Sequence, residues 1–109
     1  MKEIKAIIRS FKLTDVLTAL QEIEGLPGIA VTEMKRFGKS STQELSSGLM
    51  DFVVKAAIEV VVPDHLVEKT VSVIQATAHT GNTGDGKIFI IPVDDVVKIR
   101  TNERGIKAL

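Results

Sequence analysis

From Val54 to Val62 every even-numbered residue is apolar: Val54, Ala56, Ile58, Val60 and Val62. Successive side chains point to opposite faces of a β-strand, so this run carries one continuous apolar face that something else must cover. Pro63 ends the run, and Asp64 stands where it can cap a following helix. Val67, Val71, Ile74 and Ala78 then recur along one side of that helix. The first half of the chain has the same order. Lys2 to Arg9 reads as a strand with Ile4, Ala6 and Ile8 on one face, and Leu13, Val16, Leu17, Leu20 and Ile23 recur at helical spacing. Thr14 and Asp15 suit a helix start, while Gly25, Pro27 and Gly28 stop the helix and turn the chain. A second strand is expected over 29–37, a Gly-rich turn over 80–86, a further strand over 87–93, and one more short strand over 96–101.

Strand, helix, strand, strand, helix, strand is the split βαβ arrangement, so the expected fold class is α+β, a ferredoxin-like (βαββαβ) sandwich. A length of 109 residues fits one domain spanning 1–109. A domain of this size leaves much surface unburied, and association of copies would bury more. The apolar even face of 54–62 is the expected packing surface between such copies. Only residues 38–51 break the regular alternation. They are rich in Ser, Thr, Gln and Gly and are longer than a hairpin connection needs, which marks an exposed, regulatory loop.

Fourteen basic residues balance fourteen acidic ones, which argues against nucleic acid as a partner. The absence of cysteine excludes disulfides, thiolate metal sites and cysteine nucleophiles. His65 and His79 are not at a metal-ligand spacing, so no metal site is expected. Residues 1–9 hold no apolar core of the kind a leader needs, and the apolar run 52–62 is interrupted by Lys55 and Glu59 and too short to cross a bilayer. A cytoplasmic protein with no membrane insertion is expected.

The strongest local signal is Thr80-Gly81-Asn82-Thr83-Gly84-Asp85-Gly86-Lys87. Gly81 to Lys87 has the G-x-x-x-x-G-K spacing of a phosphate-binding loop, but Ile88 stands where that motif needs Ser or Thr, and a strand follows instead of a helix. The ingredients of an anion nest are still present: Gly81, Gly84 and Gly86 let backbone N–H groups turn inward, and Lys87 adds a point charge. Two further basic groups are Arg36-Phe37-Gly38-Lys39, at the entry to the long loop, and Lys98-Ile99-Arg100, whose cations share one face of an extended segment.

Thr80 to Phe89, reading TG-x-x-GDGKIF, resembles the signature loop of the PII nitrogen-regulatory proteins. The resemblance runs the length of the chain. Ile4 to Arg9, Phe11 to Leu13, Val31 to Glu33 and Phe37-Gly38 are similar to the family's first half; Asp51-Phe52, Ile58-Glu59, Val61 to Asp64 and Ile99 to Thr101 are similar to its second. It implies a trimeric, non-enzymatic signalling protein that binds ATP or ADP in the clefts between subunits. By motif match Gly84, Asp85, Gly86 and Lys87 would hold the phosphates. Phe37, Gly38 and Lys39 would approach from the root of the long loop, Lys98 and Arg100 from the neighbouring subunit, and Thr32 and Val61 would line the adenine end. Lys55 matches the family lysine that meets 2-oxoglutarate.

Several positions depart from the family pattern. Arg36 replaces a common Gly, and Lys39 and Lys98 replace Arg, so charge is kept but the bidentate fork is lost. Ser40 stands where many relatives place a glutamine that helps hold magnesium and 2-oxoglutarate, so 2-oxoglutarate is expected to add little to ATP affinity. The long loop is about four residues short, and Ser46 occupies the place of a modifiable tyrosine. The opening Met1 to Ile8 and Ile23 to Gly28 resemble a subgroup associated with metal-efflux genes. The expected partner is a regulated enzyme, transporter or efflux protein bound through 38–51. Two rivals on the same fold are an acylphosphatase-like hydrolase, for which no base–nucleophile pair is evident, and a metal-binding trimer of the divalent-cation tolerance type, which the lack of cysteine weakens.

Overall fold

The computed structural model describes residues 1–37 and 52–109. It contains strand β1 (Lys2–Arg9), helix α1 (Leu13–Gln21), strands β2 (Ala30–Phe37) and β3 (Phe52–Val62), helix α2 (Val67–Ala78) and strand β4 (Gly86–Pro92). The strands form one antiparallel sheet in the order β2-β3-β1-β4. Each helix therefore connects two strands that are separated by one inserted neighbour, as the ferredoxin-like arrangement requires.

The alternation of β1 and β3 decides which face of the sheet is covered. Ile4, Ala6 and Ile8 of β1 and Ala56, Ile58, Val60 and Val62 of β3 are buried in one cluster with Val16, Leu20 and Ile74 from the helices. Each large aliphatic side chain so buried contributes about 1.5–3 kcal/mol. Thr70 is the one polar residue of α2 in this layer, and its hydroxyl donates to the Leu66 carbonyl (2.7 Å). Val54 stays half exposed although it continues the apolar series.

This placement corrects one expectation. The even-numbered face is covered by the chain's own helices and is not available to another copy. The uncovered face is the odd-numbered one, with Glu3, Lys5, Ile7 and Arg9 on β1 and Lys55, Ala57, Glu59 and Val61 on β3.

Two local expectations also change. Asp64 makes no capping bond; a short 3-10 turn, Asp64–Leu66, leads into α2, and the Asp64 carboxylate accepts from the amino group of Met1 (2.9 Å). Residues 96–101 do not form a strand. Asp95 accepts from the amides of Val96 (2.8 Å) and Gly105 (3.1 Å), and Asn102 takes a left-handed conformation with φ 63°. Lys98 N–H donates to Glu103 (2.9 Å) and Asn102 N–H to Lys98 (2.8 Å). These bonds turn the segment back on itself, with an isolated bridge between Val97 and Arg104.

Candidate functional site

The two cations at the end of the sheet come first, because the register makes them direct neighbours. Arg9, the last residue of β1, lies opposite Lys55 of β3. Like charges placed opposite each other on a sheet repel, and Lys55 is only 3% exposed, where a charge is costly unless it is paired. The loop between α2 and β4 supplies the partners. Lys55 Nζ donates to the Gly84 carbonyl. Arg9 Nε donates to Asp85 Oδ1 (3.0 Å), and its terminal nitrogen donates to the Thr83 carbonyl (2.7 Å).

Asp85 also organises the loop from within. Its carboxylate accepts from the Thr80 hydroxyl, from the Thr80 amide (2.7 Å) and from the Gly81 amide (2.9 Å). These bonds, the Thr80 hydroxyl first, then the Thr80 amide and the Arg9 guanidinium, hold its carboxyl well below the usual carboxylate range. The Asp85 side chain therefore shapes the loop. Gly81, Gly84 and Gly86 all take positive φ (90°, 100° and 110°). The constraint at Gly86 is absolute: a Cβ there would lie 1.8 Å from the Ile7 carbonyl oxygen, because β4 begins pairing with β1 at that point.

Beside this loop, on the uncovered face, lies a cavity of about 450 Å³ lined by Ile7, Lys55, Thr83, Gly84, Lys87 and Phe89. Lys87 is exposed there, opposite Ile7, and the same cross-sheet row continues through Ala57 to Thr32. A second cavity, of about 440 Å³, touches Ala30, Glu59 and Val61 further along that face. Glu3 and Glu59 stand near each other there. Their hydrogen bond, together with partial desolvation and mutual repulsion, raises the Glu3 carboxyl above its ordinary value.

The sequence-derived candidates thus fall into three groups. Gly84, Gly86, Lys87, Lys55, Thr32 and Val61 border the uncovered face, with Asp85 beneath the loop. Phe37 closes the described part of β2, paired with Phe52, while Gly38 and Lys39 lie outside the described residues, as does the loop 38–51. Lys98 and Arg100 sit on the C-terminal turn, not on an extended segment. Arg9 and Ile7 were not singled out from the sequence. The only available signal was that both belong to the odd-numbered face of the first strand.

The whole chain can now be set beside known proteins. The family model described as Nitrogen regulatory protein P-II matches residues 1–103. The chain belongs to the P-II family. A Nitrogen regulatory protein P-II of Azospirillum brasilense is 51% identical over 113 aligned positions that span all of both chains. The Nitrogen regulatory protein P-II 1 of Escherichia coli K12 is 48% identical over the same span. A solved structure of Arabidopsis thaliana PII bound to citrate superposes with a TM-score of 0.81 at 37% identity, covering 99% of this chain and 91% of that one. P-II membership makes this chain a regulatory signalling protein and not an enzyme. Among the described residues no helix is long and apolar enough to cross a membrane.

Proposed function

We propose that this P-II protein is a cytoplasmic homotrimer, one domain over 1–109, that binds ADP or ATP between subunits and reports nucleotide state to a partner protein through residues 38–51. The observation that carries the reading is the loop 80–87. Gly81, Gly84 and Gly86 take positive φ, and the loop lies against a cavity of about 450 Å³ into which Lys87 and Lys55 bring positive charge. Amide donors and ammonium groups on one concave surface suit a polyphosphate. Ile7 and Thr32 in the row that starts at Lys87, with Val61 and its cavity beyond, support a place for the base and sugar further along the same face. Gly84, Asp85, Gly86 and Lys87 would serve the phosphates, and Phe37, Gly38 and Lys39 would couple them to the long loop.

What the sheet leaves uncovered supports the trimer. Ile7, Phe89 and Ile91 share the odd-numbered face with Ala57 and Val61, and Phe89 and Ile91 are exposed in the single chain. A neighbour packed there would cover these groups and could bring Lys98 and Arg100 toward the phosphates. Lys55 is the cation for a small carboxylic acid such as 2-oxoglutarate. The Arabidopsis relative is described with citrate, so an acid ligand is consistent with the family. Because Ser40 has no amide carbonyl, neither magnesium nor 2-oxoglutarate should add much to ATP binding.

Calorimetry with AMP, ADP and ATP, each with and without 2-oxoglutarate, tests this reading. Micromolar binding of ADP or ATP at one site per chain is expected. No heat with any nucleotide would overturn it.

A further inference from the structure

We propose that Arg9 is a positioning residue for the anion loop: it sets the peptide planes of residues 83–85 so that their amides face outward. This builds on the nucleotide reading above but concerns the geometry of the free protein.

The argument starts from peptide planarity. In a trans peptide the carbonyl of one residue and the N–H of the next point in opposite directions. Arg9 draws the Thr83 carbonyl toward the sheet (2.7 Å), and Lys55 does the same to the Gly84 carbonyl. The N–H groups of Gly84 and Asp85 are thereby turned to the side opposite those carbonyls. The Arg9 Nε bond to Asp85 (3.0 Å) fixes the third point, and that carboxylate in turn holds the amides of Thr80 and Gly81. One guanidinium therefore fixes both ends of the loop. Lysine cannot do this, because it lacks the fork that reaches a carboxylate and a carbonyl together.

Two further observations agree. A Cβ at Gly84 would lie 3.2 Å from the Arg9 guanidinium, so the loop is closed directly onto this side chain. Arg9 and Lys55 are cross-strand neighbours, and the loop's carbonyls and carboxylate offset part of their repulsion. The cations and the loop thus order each other across 29 residues of sequence for Lys55 and 76 for Arg9.

The test uses the full chain and the variants Arg9→Ala and Arg9→Lys, with amide exchange and ADP calorimetry. In Arg9→Ala the Thr80 and Gly81 amides should exchange about tenfold faster, as expected for loss of a charge-assisted bond to their acceptor. Core amides of β1 and β3 should keep their protection. ADP affinity should fall about tenfold, and Arg9→Lys should recover part of both losses. Unchanged exchange at Thr80 and Gly81 in Arg9→Ala would overturn the proposal, whatever the calorimetry shows. Equal acceleration of loop and core amides would also overturn it, since Arg9 would then support only the fold. If the unaltered protein binds no ADP, the nucleotide reading falls, and the exchange result alone decides the role of Arg9.

Discussion

Three positions carry most of the consequences at the scale of single residues. Gly86 has the least freedom, since its φ of 110° and the 1.8 Å approach to the Ile7 carbonyl leave no place for a methyl group. Gly86→Ala should separate the start of β4 from β1 and cost at least about 2 kcal/mol, a strained conformation compounded by a backbone clash; denaturant unfolding measures it. Lys87 is the opposite case, because it is exposed and fills no core. Lys87→Ala should leave the unfolding midpoint unchanged while weakening ADP about tenfold, the worth of one charge-assisted phosphate contact. Glu3 offers a pH test. Its folded pKa is raised, chiefly by the hydrogen bond with Glu59, so the folded state holds its proton more tightly than the unfolded chain does. Stability from this pair is present below the ordinary glutamate value near 4.3 and is lost as pH rises through the folded value. Glu3→Gln should flatten that decline in thermal unfolding as pH rises above about 4.3. Asp85 has the reverse sign: its lowered pKa gives stability that persists above about 3.9 and is lost only on acidification below it.

The elements differ in how much of each could be read from residue order. β1, β3 and both helices follow from periodicity, because each has one face that must be buried and a pattern that says which. The segment 96–101 did not follow. Its alternating cations suggest a strand, yet the acceptor that reverses it, Asp95, acts on Gly105, ten residues away. Arg104 strengthens the same turn by donating to Asp95 (3.1 Å) and holds the Asp95 carboxyl below its usual range. Asp95→Ala should open this turn. Amide exchange at Val96 and Gly105 is expected to accelerate, while β4 keeps its protection. Ile99 is fully exposed at the tip between Lys98 and Arg100.

At the scale of the whole molecule, the sheet has one face closed by helices and one left open, and the proposed site lies on the open one. If copies associate through that face, sedimentation at micromolar concentration should show a trimer, and Phe89→Asp should shift it toward monomer by placing a charge where apolar surface is to be buried. A monomer in the unaltered protein would remove the inter-subunit cleft on which nucleotide binding rests. Signalling makes a separate demand: hydrogen exchange over 38–51 should differ among the free, ADP and ATP forms, since a ligand acts as a signal only by favouring one state. The chain has no tyrosine, so control by modification of a loop phenol is chemically excluded.

Residue order alone determined the α+β class, the sequence of elements, the glycine loop and the family, because each rests on a local period or a contiguous motif. It did not determine that the chain's own helices, and not a neighbouring copy, would cover the apolar even-numbered face, nor that Arg9 and Lys55 would stand abreast and draw in a loop some thirty to seventy-six residues away. Those outcomes depend on strand register and on the pairing of buried charge. Both are properties of residues that meet only after the chain has folded.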